Sequence, residues 1–105
     1  MQTGRAPRYA TDKALSAVRF WEDTPVRTVH GRCHVVSRRG LGATVADQLY
    51  IGEVVRLDLP PLLRVYASVR NISGAKHGFE FLFLTDSQQR AIQRLCDSCA
   101  STQVS

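Results

Sequence analysis

The chain has 105 residues, a formal net charge of +5, and apolar side chains at 44% of its positions. That size supports one domain with a single modest core; the apolar content excludes a disordered chain, and no apolar run is long enough to cross a bilayer. The positive balance favours an anionic ligand, nucleic acid or acidic partner over a cationic one.

Twelve of the 14 basic residues are arginine. A planar fork of donors with a flat face suits phosphate and purine recognition better than an ammonium does, although a genome rich in arginine codons gives the same bias. Residues 1–12 carry Gly4 and Pro7 and show no periodicity, so a flexible N-terminal arm bearing Arg5 and Arg8 is expected there. The opening octapeptide lacks the apolar core of a secretory signal, which sets the expectation of a cytoplasmic protein.

From residue 13 short strand-like stretches alternate with turn signals, the spacing of a sandwich or barrel. Leu15 to Trp21 is the first, closed by the turn-forming Glu22-Asp23-Thr24-Pro25, and Trp21 reads as a packing residue. Arg27 to Val36 is the second and ends at Ser37-Arg38-Arg39-Gly40, whose glycine is able to take positive φ. Leu41 to Val45 makes a short third. Gly52 opens Glu53 to Leu59, in which Val55, Leu57 and Leu59 alternate with Arg56 and Asp58 in a half-buried pattern. Pro60-Pro61 stops it, because proline cannot continue a ladder. Arg64 to Ile72 alternates again, Ser73-Gly74 turns the chain, and His77 to Phe83 places Phe79, Phe81 and Phe83 on one face as expected core anchors.

The period changes at Thr85. Thr85-x-x-Gln88 is a capping-box pattern, and Ala91, Ile92, Leu95, Cys96 and Cys99 recur at helical spacing opposite Arg90, Gln93, Arg94 and Asp97. An amphipathic helix of about three turns follows, placed to cover one opening or flank of a barrel. The expected organisation is an arm over 1–12, one domain over 13–99 and a fraying tail over 100–105.

The chemistry-bearing residues give no case for catalysis. His30, His34 and His77 are scattered, and no nucleophile stands beside a base. Cys33, Cys96 and Cys99 leave an odd thiol in any pairing and read as free. Cys33 and His34 leave opposite faces of one strand, so no metal site is expected, and no cofactor.

Two short segments belong together: Arg5-Ala-Pro-Arg8, and Val35-Val36-Ser37-Arg38-Arg39-Gly40-Leu41-Gly42. With the Gly78-Phe79-Glu80-Phe81 phrase and the Gln89-Arg90-x-Ile92 start of the helix, in this order over most of the chain, they resemble the PilZ family of bacterial receptor domains. The family carries an R-x-x-x-R element leading into its barrel and a D/N-x-S-x-x-G element on an early strand. Ser37 and Gly40 match the second, with Val35 in the acidic slot; Arg8 matches the second arginine of the first, with Gly4 in its first slot and Arg5 one residue late.

The resemblance implies a mainly β fold, a six-stranded antiparallel PilZ-like barrel with a C-terminal helix. It also implies a signalling module that binds cyclic di-GMP and passes the event to an effector protein. Arg5 and Arg8 would meet guanine edges and phosphates, Ser37 would accept from guanine, Gly40 would let the backbone approach the ligand, and Arg38 and Arg39 would add phosphate contacts. Valine at 35 accepts nothing, so the alternative is a degenerate PilZ domain that acts as a protein-interaction adaptor, for example in pilus or motility systems. Binding of single-stranded nucleic acid is disfavoured, because the aromatics of the last strand fall on a face the helix is placed to cover.

Overall fold

The computed structural model describes residues 7–61, 63–99, 103 and 104. Six strands form the body: β1 (Arg8–Trp21), β2 (Thr24–Val36), β3 (Gly40–Val45), β4 (Val54–Leu59), β5 (Leu63–Ser73) and β6 (Lys76–Leu82). Helix α1 (Asp86–Ser98) follows, and a two-residue strand β7 (Gln103–Val104) pairs with the start of β1 at Arg8 and Tyr9. Every pairing is antiparallel, in the order β2-β3-β6-β5-β4-β1, and the pairing of β1 with β2 closes the sheet into a barrel. Closure removes the open edges of the six main strands, which an open sheet of this size would expose.

Alternation along the strands fills the interior. Leu15 and Ala17, Cys33 and Val36, Leu41, Ala43 and Val45, Val55, Leu57 and Leu59, Val65, Ala67 and Val69, and Phe79 and Phe81 all turn inward. The small side chains of Ala17, Ala43 and Ala67 let the larger ones meet across a narrow lumen. On α1, Ile92 and Cys96 close the end of the barrel, and the Gln88 side chain donates to the Arg64 carbonyl at 2.8 Å. The capping box forms as expected: Thr85 Oγ1 accepts from the Gln88 amide at 3.1 Å, and Gln88 Oε1 accepts from the Thr85 amide at 2.8 Å.

Several expectations need correction. The first strand begins at Arg8 rather than near residue 15, so the arm is shorter than residues 1–12: Tyr9 and Ala10 already pair with Val36 and Val35. Arg5 lies outside the described residues. Phe83 is not a core anchor. Strand β6 ends at Leu82, Phe83 turns the chain toward α1 at φ 55°, and its ring is 85% exposed. Trp21 does not pack either, being 72% exposed at the tip of the β1–β2 hairpin. Gly40 keeps a negative φ; among the described glycines only Gly52 and Gly74 take a positive one.

Candidate ligand site

Strands β2, β3, β6 and β5 lie side by side, and their register sets one row across the outer wall: Val35 opposite Gly42, Gly42 opposite Gly78, Gly78 opposite Asn71. Two neighbouring positions without side chains leave a trough in the sheet surface. Its banks are Val35, whose Cγ1 stands 2.9 Å from where a Cβ on Gly42 would lie, and Asn71, whose amide stands 2.5 Å from where one on Gly78 would lie. The trough belongs to a groove of about 720 Å³ that also takes in Arg8, Ser37, Arg39 and Gly40. The missing side chains leave room that Val35 and Asn71 lean into, so a flat ring reaches the backbone of Gly42 and Gly78 when those two side chains turn aside.

Irregularities in the sheet aim the banks. A bulge between Cys33 and Val35 separates two inward residues, Cys33 and Val36, by three positions instead of two, and turns both His34 and Val35 outward. A second bulge, between Val69 and Asn71, swings Arg70 and Asn71 to the rim. There Arg70 pairs with Glu80 at 3.4 Å.

The turn between β2 and β3 is built by Ser37. Its Oγ accepts from the amides of Arg39 at 3.2 Å and Gly40 at 3.3 Å, and its own amide donates to the Gly40 carbonyl at 2.9 Å. The spacing Ser-x-x-Gly is thus the requirement of a tight turn, and the hydroxyl is engaged within it. Gly40 is required for a different reason than ligand approach: a Cβ there would fall 2.0 Å from the Phe79 carbonyl oxygen, on the neighbouring strand.

Four of the six residues expected at a ligand site line this groove: Arg8, Ser37, Arg39 and Gly40. Arg8 comes there because Tyr9 pairs with Val36, which sets Arg8 beside the Ser37 turn. Arg38 points the other way. It lines a second groove of about 510 Å³ between the turn and α1, shared with Arg39 and Arg90. Sequence reasoning missed Asn71, Arg70, Lys76, Glu80 and the glycine pair Gly42 and Gly78. The glycine pair carried a signal, two glycines each flanked by inward apolar residues, but only strand register joins them.

The histidines and cysteines act structurally. His77 is buried, with Nδ1 donating to the Ala75 carbonyl at 2.8 Å and Nε2 accepting from the Leu49 amide at 3.2 Å, which ties the 46–53 loop to the β5–β6 hairpin. His34 bonds Thr44 Oγ1 at 2.9 Å. Cys33, Cys96 and Cys99 are free and buried. Burial pushes the Cys33 thiol up to about 12 and raises that of Cys96, so both stay protonated and inert. Among the described residues no cluster of His, Cys, Asp and Glu is arranged to hold a metal. No helix described is long and apolar enough to cross a membrane.

Residues 5–98 match the family model of the PilZ domain. Among solved structures, the fold is similar to the PilZ domain with c-di-GMP of YcgR from Escherichia coli, at a TM-score of 0.77 and 17% identity over 95% of this chain and 93% of that one. It is similar to the PilZ domain of CeSA from a cellulose-synthesizing bacterium, at a TM-score of 0.70 and 14% identity over 87% of this chain and 95% of that one. It is also similar to the Bacillus subtilis inhibitor of motility, MotI/DgrA, at a TM-score of 0.71 and 18% identity; the match covers 93% of this chain and 51% of that one. No curated protein sequence matches the chain.

Proposed function

Because this chain belongs to the PilZ domain family, a family of cyclic di-GMP-binding domains, we propose that it is a cytoplasmic bacterial signalling module. It binds cyclic di-GMP in the groove across β2, β3, β6 and β5 and transmits the event to an effector protein, without catalysis of its own. The observation that carries the reading is the glycine-floored trough with Arg8, Arg39 and the Ser37 turn along one side. A flat guanine lies on backbone at Gly42 and Gly78, and Arg8 and Arg39 are within the same groove to meet its Hoogsteen edge and the phosphates. Arg5, three residues before Arg8 in the sequence, is the further arginine the family motif brings to the ligand, and Arg38 adds long-range charge from the far side of the turn. The c-di-GMP held by the similar YcgR domain supports the choice of ligand.

Val35 supports a second reading. The position that an acidic or amide side chain occupies in the family motif holds an apolar one, half-buried on the bank of the trough. A domain of that kind keeps the barrel and works as a protein-interaction adaptor without nucleotide. Calorimetric titration of the purified chain separates the two readings. Cyclic di-GMP is expected to bind with micromolar affinity, and cyclic di-AMP and GTP at least tenfold more weakly. Heat absent at millimolar cyclic di-GMP would reject the receptor reading and leave the adaptor.

A further inference from the structure

The arginines of this barrel fall into two sets. Arg19 pairs with Glu53, Arg27 with Asp47, Arg32 with Asp12, Arg56 and Arg64 with Asp58, and Arg70 with Glu80. Arg8, Arg38, Arg39, Arg90 and Arg94 have no carboxylate within ion-pair reach among the described residues, and all five are exposed; Arg8 lies in the first groove. Three of them, Arg38, Arg39 and Arg90, surround the second groove, and Arg94 follows Arg90 by one helical turn. A folded domain that pairs six of its guanidinium groups with carboxylates and leaves these three clustered holds a local positive field there.

The groove is more than charged. The half-buried Leu84 and the buried Ile92 give it an apolar floor, and Asp86, Gln89 and Gln93 complete the lining, so three arginines outweigh one carboxylate. Immediately before Leu84 stands Phe83, 85% exposed and held at φ 55°. A bulky residue in the left-handed region is strained, and such outliers concentrate at ligand clamps and switch regions. An exposed aromatic next in sequence to the floor of an arginine-lined groove supplies the residue types of an interface hot spot.

We propose that this groove, between the Ser37–Gly40 turn and α1, docks an acidic, amphipathic segment of a partner protein. Carboxylates of the segment pair with Arg38, Arg39 and Arg90, and an apolar side chain between them packs on Leu84 and Phe83. Charge complementarity selects an acidic chain, and the apolar floor selects one that carries hydrophobic anchors rather than a bare polyanion. The inference rests on the reading of the domain as a module that hands a signal to a protein. Arg39 lines both grooves, so a ligand in the first and a partner in the second meet at the same residue. That sharing lets the partner sense the state of the ligand site.

The test is selection of a displayed library of random 12-residue peptides on the immobilised full chain, without nucleotide, so that its outcome is independent of cyclic di-GMP binding. Enriched peptides are expected to carry net negative charge with at least one large apolar residue. They are expected to lose tenfold or more in affinity for the double variant Arg38→Glu, Arg90→Glu and about as much for Phe83→Ser, while Trp21→Ser at the opposite end leaves affinity unchanged. Thermal denaturation of each variant establishes that it folds. Absence of enrichment, enrichment of neutral or basic peptides, or peptides that still bind the charge-reversed variant would overturn the proposal. Equal displacement of the peptides by a charge-matched oligothymidylate would overturn it in favour of a polyanion site.

Discussion

Replacing Val35 with aspartate is expected to tighten cyclic di-GMP binding by about ten- to a hundredfold. Val35 stands on the bank of the trough, outside the core, with Cγ1 directed over Gly42. Aspartate has nearly the same volume, so the exchange asks little of the sheet. The new carboxylate accepts from the N1–H and amino group of a guanine lying on Gly42 and Gly78. Hydrogen bonds to a charged group contribute roughly 1.5–3 kcal/mol, which sets the expected gain. Arg8 and Arg39, in the same groove, offset the added negative charge in the free protein. Calorimetry on the variant reads the change directly, and unchanged affinity in a ligand-binding protein would mean that the guanine edge lies elsewhere.

The largest stability effect is expected from Gly40→Ala. The new Cβ would fall 2.0 Å from the Phe79 carbonyl oxygen and 3.2 Å from Glu80 Cα. Both are backbone atoms of β6, so no side chain can swing aside and the two strands must part. Overpacking of this kind costs about 3 kcal/mol, the upper part of its usual range. At about 5 °C per kcal/mol for a domain of this size, Tm drops by about 15 °C. Gly74→Ala is the control. A Cβ there meets nothing within 4 Å, but φ is 61°, and the left-handed backbone alone costs about 1 kcal/mol. Thermal denaturation of the two variants separates steric from conformational glycine, and similar losses would contradict the close approach of β3 to β6.

Much of this architecture was legible in the sequence, because alternation and turn chemistry are local. The ends of the first four strands, the turn at Gly74 and the capping box of Thr85 and Gln88 fall where those signals put them. Phe83 was misread because a period-two pattern has no marker for where its strand stops; one residue at φ 55° sends the ring to solvent. Trp21 was misread because a hairpin tip extends past the interior its strands enclose. At the site, Ser37 and Gly40 were visible as a motif, yet the reasons for them were not. The serine caps its own turn, and the glycine answers a strand forty residues further along the chain. Arg38 and Arg39 looked equivalent in sequence, but successive residues at the turn face different grooves, with only Arg39 bordering both. The trough stayed hidden because Gly42 and Gly78 meet only through strand register.

Amide shift mapping of the nitrogen-15-labelled chain with cyclic di-GMP tests the central claim most directly. The account predicts that the amides of Gly42, Gly78, Asn71 and the Ser37–Gly40 turn move together on titration, that those of Trp21 and Tyr50 at the far end stay still, and that Arg8→Ala abolishes the movement. Shifts centred on the Trp21 and Tyr50 end, or a spectrum unchanged at saturating ligand, would contradict it.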